Sequence, residues 1–313
     1  MFKTFVDSLN KIEEKISKAK PEDIPFLFGD IPDEVFAMLT LNVGGKIPDL
    51  GKITLRVINN QEPLKYLPEH PWPGIASFLP TMPSDINQNK WNGASGINLM
   101  LKSLATYNSF SHNFQRLTGK SLSNSSILDY GCGWGRMLRL FYKTTPYTQL
   151  YGVDPWDISV EACKKHNLKC NFGITKWIPD SIPFGDTVFD LVYSFSVFTH
   201  ISFRSADAAM KIIRKRIDKN GLFVITIRPV EYWQLHKKSR DTGLDLEAAI
   251  NEFDENGFVF IPHPAKAQFG NFDYGDTVMS VDFIRKTWPE WKIVHTDLNI
   301  IDPYQILIFL KPV

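Results

Sequence analysis

The run Ile127-Leu128-Asp129-Tyr130-Gly131-Cys132-Gly133-Trp134-Gly135-Arg136 places three glycines at alternate positions, with an acid two residues before the first. Glycines let a chain turn tightly and let a ligand lie against the backbone. A strand-like run precedes them and a helix-like run follows. That context puts the turn at the carboxyl end of a strand, where the first N–H groups of a helix also face the ligand. A dinucleotide-binding turn spaces its glycines as G-x-G-x-x-G. Here the third of those positions is Arg136, and the glycine comes one residue early, at Gly135. Asp129 would repel a pyrophosphate and attract a cation.

S-adenosylmethionine carries a sulfonium and an ammonium, and so answers that description. A second acid, Asp154 in Leu150-Tyr151-Gly152-Val153-Asp154, follows Gly135 by 19 residues. An acid at about that distance ends the next strand and accepts from ribose hydroxyls. Other chemistry-bearing groups follow later strand candidates. His200 comes just after the run ending at Ser194, where open α/β sheets bind their ligands. It is the candidate general base, with an ordinary pKa suited to neutral pH. Ser194 is a candidate backbone contact to the cofactor. Arg228, Glu231, Tyr232, Trp233 and His236 cluster after a later strand, and His263, Tyr274 and Asp276 come further on. Aromatic rings beside a few polar groups suit a sugar face or another flat ligand. Arg228, Tyr232, Trp233, His263 and Tyr274 are therefore the candidate substrate wall. Trp91-Asn92-Gly93 is a candidate lid over the cofactor.

Strands have to present these groups. Strand-like runs at Ser126–Asp129, Gln149–Val153, Asp190–Phe195 and Leu222–Ile227 alternate with helical patterns at Arg136–Tyr142, Ile158–His166 and Ala206–Ile217. Such alternation predicts a doubly wound, largely parallel sheet. A helix over 96–117 precedes it, and two late strands, Trp291–His295 and Tyr304–Leu310, close it. Residues 1–20 carry apolar positions at helical spacing. Residues 21–90 read as irregular, with one strand-like run at Ile53–Ile58. The expected organisation is an N-terminal extension over 1–90 and a catalytic domain over 91–313. An insertion over about 229–277 is too long for an ordinary loop and faces the substrate.

The chain has 313 residues, 35 Lys+Arg against 34 Asp+Glu, and 13% aromatic residues. A net charge of +1 argues against a nucleic-acid partner. The basic run Lys211, Arg214, Lys215, Arg216 and Lys219 reads as a solvated helix face. No apolar run reaches membrane-spanning length. Three cysteines with no metal-ligand spacing predict free thiols, a cytoplasmic setting and no metal.

With ILDYGCGWGR, Asp154, FDLVYSFSVFTHI and NGLFVITIRP in order, residues 91–313 resemble the class I S-adenosylmethionine-dependent methyltransferases. The resemblance implies a Rossmann-like α/β fold, a seven-stranded sheet with its last strand antiparallel. It implies S-adenosylmethionine as cofactor and S-adenosylhomocysteine as product. By the same resemblance Asp129, Gly131 and Gly133 line the methionine end, and Asp154 holds the ribose. Tyr130, Cys132 and Trp134 share the turn, while Pro155 and Trp156 lie near ribose and adenine. Many relatives carry an acid that reaches the adenine amino group, and this chain has Ile178 there; Trp177 is the candidate stacking partner. The expected activity is O-methylation of a small molecule or a saccharide hydroxyl. N-methylation of a small amine and a non-catalytic cofactor-binding scaffold are the alternatives.

Overall fold

The computed structural model describes residues 2–42, 73–234, 245–263, 273–298 and 302–313. The strand-like run Ile53–Ile58 and His236 lie outside them. Seven strands form the main sheet: β1 (Ile127–Tyr130), β2 (Leu150–Asp154), β3 (Asn171–Ile174), β4 (Phe189–Ser194), β5 (Ile217–Ile227), and the late β8 (Trp291–Leu298) and β9 (Ile306–Pro312). Their order across the sheet is β3-β2-β1-β4-β5-β9-β8. β9 alone runs against its neighbours, pairing antiparallel to both β5 and β8. The order reverses between β1 and β4, so the carboxyl ends of β1, β2 and β4 surround the crevice where such sheets bind ligands. A separate two-stranded sheet, β6 (Phe258–Pro262) with β7 (Gly275–Met279), belongs to the insertion.

Alternating residues of each strand enter two different cores, as a two-residue period requires. Ile127, Leu191, Leu222 and Phe309 face one cluster. Leu128, Val192, Phe223 and Ile308 face the other. The second core is closed by the helices Phe203–Arg214 and Val281–Thr287, which contribute Ala206, Ala209, Met210 and Ile284. The first core takes Leu104, Phe110 and Phe114 from the long helix Gly96–Thr118.

The N-terminal residues share that first core. Leu9, Ile12 and Ile16 of the helix Phe2–Ile16, then Phe28, Phe36 and Phe78, pack in one cluster with Leu138 and Phe141. Polar contacts reinforce the packing. Both carboxylate oxygens of Glu13 accept from the backbone N–H groups of Gly74 and Ile75, at the start of the helix Pro73–Phe78. This satisfies orphan donors and favours a negative charge at the helix N-terminus. Lys143 pairs with Asp33. Arg139 is wholly buried. It donates to the carbonyls of Thr40 and Thr81 from the extension and of Gly135 from the glycine turn. Its guanidinium lies 4.8 Å from the Trp134 ring centroid.

Several local expectations shift. The helix expected over Arg136–Tyr142 is only Leu138–Phe141, because the glycine turn runs on before helical geometry starts. The helix expected over Ala206–Ile217 is Phe203–Arg214; Ser202 caps its start, accepting from the Ser205 N–H. β5 begins at Ile217, earlier than the apolar run suggested. β3 carried no readable signal: it is a four-residue edge strand with a central glycine and no fully buried residue. The weakly periodic insertion contains an ordered helix, Leu246–Asn256, capped by Asp245 at its start and by Gly257 in a left-handed conformation at its end. These are the usual start and stop signals of a helix.

Candidate functional site

Gly131, Gly133 and Gly135 all adopt positive φ, at 82°, 53° and 75°. Two of them also have no room for a side chain. A Cβ on Gly131 would stand 2.3 Å from Val197 Cγ2, and one on Gly135 would stand 2.2 Å from Leu168 Cδ2. The turn is moored to β2, since the N–H groups of Gly131 and Cys132 both donate to the Val153 carbonyl, at 2.8 and 3.0 Å. Trp91 covers it from the helix Asp85–Asn92, with ring carbons 3.5 Å from the place a Gly133 Cβ would occupy. Asn92 accepts from the Trp134 indole at 3.0 Å. The lid expected at Trp91-Asn92-Gly93 thus lies directly on the glycine turn.

Three charged groups stand around this turn. Asp129, at 3% exposed, has its pKa raised to about 8. Burial is the main cause; the Asp154 charge adds to it, and the Tyr193 hydroxyl and Arg136 pull partly back. A buried acid in that state is short of a cation. Arg136 has its guanidinium 5.0 Å from the Phe195 ring centroid and donates to Ser103. Burial lowers its pKa to about 10. Asp154 ends β2, and its two oxygens accept from the N–H groups of Gly133 and Trp156, both at 2.9 Å. Burial raises its pKa, and those two donors oppose the shift. An acid suited to an ammonium, a cation suited to a carboxylate and an acid beside a strand end suited to ribose match the donor set of S-adenosylmethionine.

A cleft of about 760 Å³ opens here, bordered by Asp129, Tyr130, Gly131, Cys132, Gly133, Trp134, Asp154, Pro155, Trp156 and Trp177. Small-molecule sites span roughly 300–1,000 Å³. Its walls continue without a break to His200, Arg228, Tyr232, His263 and Tyr274. Rings link the two ends. Trp156 is 6.3 Å from Trp91, 5.7 Å from Trp177 and 6.0 Å from Tyr274, and Tyr274 stacks on His200 at 5.5 Å and 9°. The Trp177 segment is anchored by the Ser205 hydroxyl, which donates to the Trp177 carbonyl at 2.9 Å.

Two expected site residues stand outside the cleft. Ser194 is fully buried, and its hydroxyl donates to the Tyr130 carbonyl at 2.9 Å, tying β4 to β1. Trp233 is also fully buried and packs with Ala249, Val259 and Val278 under the insertion. An indole follows the apolar core when its neighbours offer one. In the other direction, Arg136, Lys102, Asp302, Ser196 and Gln305 border the cleft without having been singled out. Arg136 was the legible one, as a cation directly after the glycines. Ser196 has φ of 61°, an uncommon conformation for a residue other than glycine. Its N–H donates to Thr226 Oγ1 at 2.7 Å.

The far end of the cleft is a polar cluster assembled by β7. The N–H groups of Gly275 and Thr277 donate to the carbonyls of His200 and Thr199, docking the insertion on the loop after β4. Asp276, wholly buried, accepts from Arg228 Nη1 at 2.6 Å, Tyr232 Oη at 3.0 Å and His263 Nε2 at 2.6 Å. His200 Nδ1 lies 2.7 Å from the Gly275 carbonyl, so Nδ1 carries the hydrogen. Its Nε2 then accepts from Arg228 Nη2 at 2.8 Å. Burial first, and Arg228 second, lower the His200 pKa to about 3. His200 is held neutral, as a base must be, but its Nε2 lone pair is engaged by Arg228 and its basicity is low. His200, His263 and Asp276 offer ligand atoms within 4.8 Å of one another, a spacing that suits a metal ion. The Arg228 guanidinium sits among them and supplies a positive charge of its own.

Residues 127–221 match the family model described as a methyltransferase domain. Among curated proteins, an uncharacterised protein of Rickettsia prowazekii (strain Madrid E) is 27% identical over 123 residues, covering 38% of this chain and 49% of that one. The match therefore spans about half the length of that relative. Among solved structures, an S-adenosylmethionine-dependent methyltransferase from Clostridium acetobutylicum superposes with a TM-score of 0.50 and 12% identity, over 72% of this chain and 96% of that one. Magnesium protoporphyrin IX methyltransferase from Synechocystis, with bound S-adenosylhomocysteine, gives 0.46 and 16%, over 73% and 95%. At such identities the likeness is one of fold. No described helix is long and apolar enough to cross a membrane.

Proposed function

We propose that the protein, whose residues 127–221 match a family model described as a methyltransferase domain, transfers a methyl group from S-adenosylmethionine to a hydroxyl of a small molecule, with a saccharide as the favoured class. The observation that carries this reading is the single cleft joining the glycine turn to the aromatic and polar wall. Asp129 would face the ammonium and Arg136 the carboxylate of the methionine moiety. Asp154 would take the ribose hydroxyls, with Pro155 and Trp156 beside them and Trp177 against adenine. The bound cofactor supplies an electrophilic methyl group. The protein then has to orient the acceptor in line and keep water away.

Tyr274, His263, Arg228 and Tyr232 form the acceptor side. A ring face next to hydrogen-bonding groups suits a saccharide better than a purely apolar ligand. With its lone pair held by Arg228, His200 orients Arg228 and stacks on Tyr274.

The test is calorimetry of the full chain with S-adenosylmethionine and S-adenosylhomocysteine, followed by methyl-labelled cofactor offered to a panel of hexoses, simple phenols and small amines. Label on a hexose supports the proposal. Label on amines alone replaces it with N-methylation. Absence of cofactor binding defeats it.

A further inference from the structure

We propose that the Ser196 hydroxyl donates a hydrogen bond to the acceptor oxygen and so selects oxygen over nitrogen acceptors; this rests on the hydroxyl reading above. Ser196 borders the cleft where its two ends meet. On one side, the Phe195 ring lies against Arg136, and Val197 closes on Gly131. On the other, Thr199 and His200 lead to the polar cluster, and Arg228 Nη1 donates to the Thr199 carbonyl at 2.8 Å. A ligand that fills the cleft from the glycine turn to the polar wall therefore passes Ser196.

The backbone of Ser196 is held in a strained form. Outside glycine, a φ of 61° persists only where the surroundings impose it, and such residues gather at functional sites. Three segments impose it here. Thr226 of β5 accepts the Ser196 N–H at 2.7 Å. Gln305, buried just before β9, donates from Nε2 to Ser196 Oγ at 3.1 Å. Thr199 Oγ1 lies 3.4 Å from the same oxygen.

These contacts fix where the hydroxyl hydrogen points. A serine hydroxyl has one hydrogen and two lone pairs. Gln305 fills one lone pair. Thr199 is wholly buried, and Ser196 Oγ is the one acceptor its hydroxyl reaches among the described residues. Thr199 therefore donates and fills the second lone pair, since the reverse would leave a buried hydrogen unpaired. The Ser196 hydrogen then has no protein acceptor among the described residues and is available to the cleft. An oxygen acceptor has two lone pairs, so one can take this hydrogen bond while the other attacks a methyl carbon. A neutral amine has one, and the same hydrogen bond removes the pair that would attack. Transfer to oxygen forms the carbon–oxygen bond and breaks the carbon–sulfur bond with its electrons left on sulfur, and the hydroxyl proton leaves to solvent.

Two variants of the full chain decide the assignment. Ser196→Ala removes the hydrogen. Gln305→Glu keeps the serine but offers it a carboxylate, which draws the hydrogen into the wall. Calorimetry of the S-adenosylhomocysteine complex with a panel hydroxyl that accepts label should show about 10-fold weaker binding in both variants, with cofactor affinity unchanged. The ratio of kcat/KM for a phenol to that for the matching aniline should also fall about 10-fold. If Ser196→Ala does not fold, Ser196→Gly, which suits the positive φ, takes its place. Wild-type binding and ratio in either variant overturn the proposal and leave the hydroxyl reading standing. A loss confined to cofactor affinity also overturns it, by giving the hydrogen to the cofactor. Label on amines alone, or on no compound, defeats the hydroxyl reading and this assignment with it.

Discussion

With Asp129 in its proposed place against the cofactor's ammonium, cofactor binding should depend on pH, and the size of the effect follows from its surroundings. Its folded-state pKa is about 8, against 3.8 for the free group. Below pH 8 the unliganded protein therefore holds Asp129 mostly protonated, while a cation can be met only by the ionised form. The ionised fraction is about 0.01 at pH 6 and about 0.5 at pH 8, so affinity for S-adenosylmethionine should rise about 50-fold, or ~2.3 kcal/mol. About one proton should be released per binding event at pH 6. The assay is calorimetry in two buffers of different ionisation enthalpy, from pH 6 to 8. Asp129→Asn should bind weakly and with no such slope, and titration of the ligand itself is common to both proteins. An affinity constant to within about 3-fold over this range, or an equal slope in Asp129→Asn, would refute the argument. Stability runs the other way. A raised carboxyl pKa contributes stability that is fully present below 3.8 and is lost as pH rises through about 8. Asp129→Asn should therefore raise the melting temperature of the unliganded protein at pH 8 more than at pH 5.

Other substitutions test the remaining parts of the site. Asp154→Ala leaves the Gly133 and Trp156 N–H groups without their acceptor and removes the proposed ribose contact; calorimetry should show a loss of about 10- to 100-fold in cofactor affinity. Gly135→Ala combines a positive φ with a collision on Leu168, and urea unfolding should show ~2–3 kcal/mol of destabilisation. Gly93→Ala has a positive φ but no atom within 4 Å, and should cost only ~1 kcal/mol. Arg139→Met keeps the bulk of a buried side chain but abandons the carbonyls of Thr40, Thr81 and Gly135; both stability and cofactor affinity should drop, the former by ~1–3 kcal/mol in urea.

The cofactor end was legible because its parts lie within one βαβ unit. The positions of Gly131, Gly133 and Gly135 are demanded by backbone geometry, and Asp129 and Asp154 sit at strand ends that local patterns already mark. The acceptor end was legible only as a set of residue types. Arg228, His263, Tyr274 and Asp276 were noted by residue type along the later segments, apart from His200 as the candidate base, and nothing in their spacing told which histidine would pair with which partner. That depended on β7 docking beside Thr199 and His200 through backbone hydrogen bonds between residues about 75 positions apart. The burial of the Trp233 and Ser194 side chains was unreadable for the same reason, since burial on a particular face is invisible until neighbouring segments arrive.

Strand–helix alternation, the glycine turn and the class of fold were therefore written in local pattern, where each residue's conformation answers to its immediate neighbours. The protonation state of Asp129, the engagement of His200 with Arg228, the pairing of His263 with Asp276 and the burial of the N-terminal helices against the sheet came from packing. Each is an effect of desolvation and of charges brought together from distant parts of the chain.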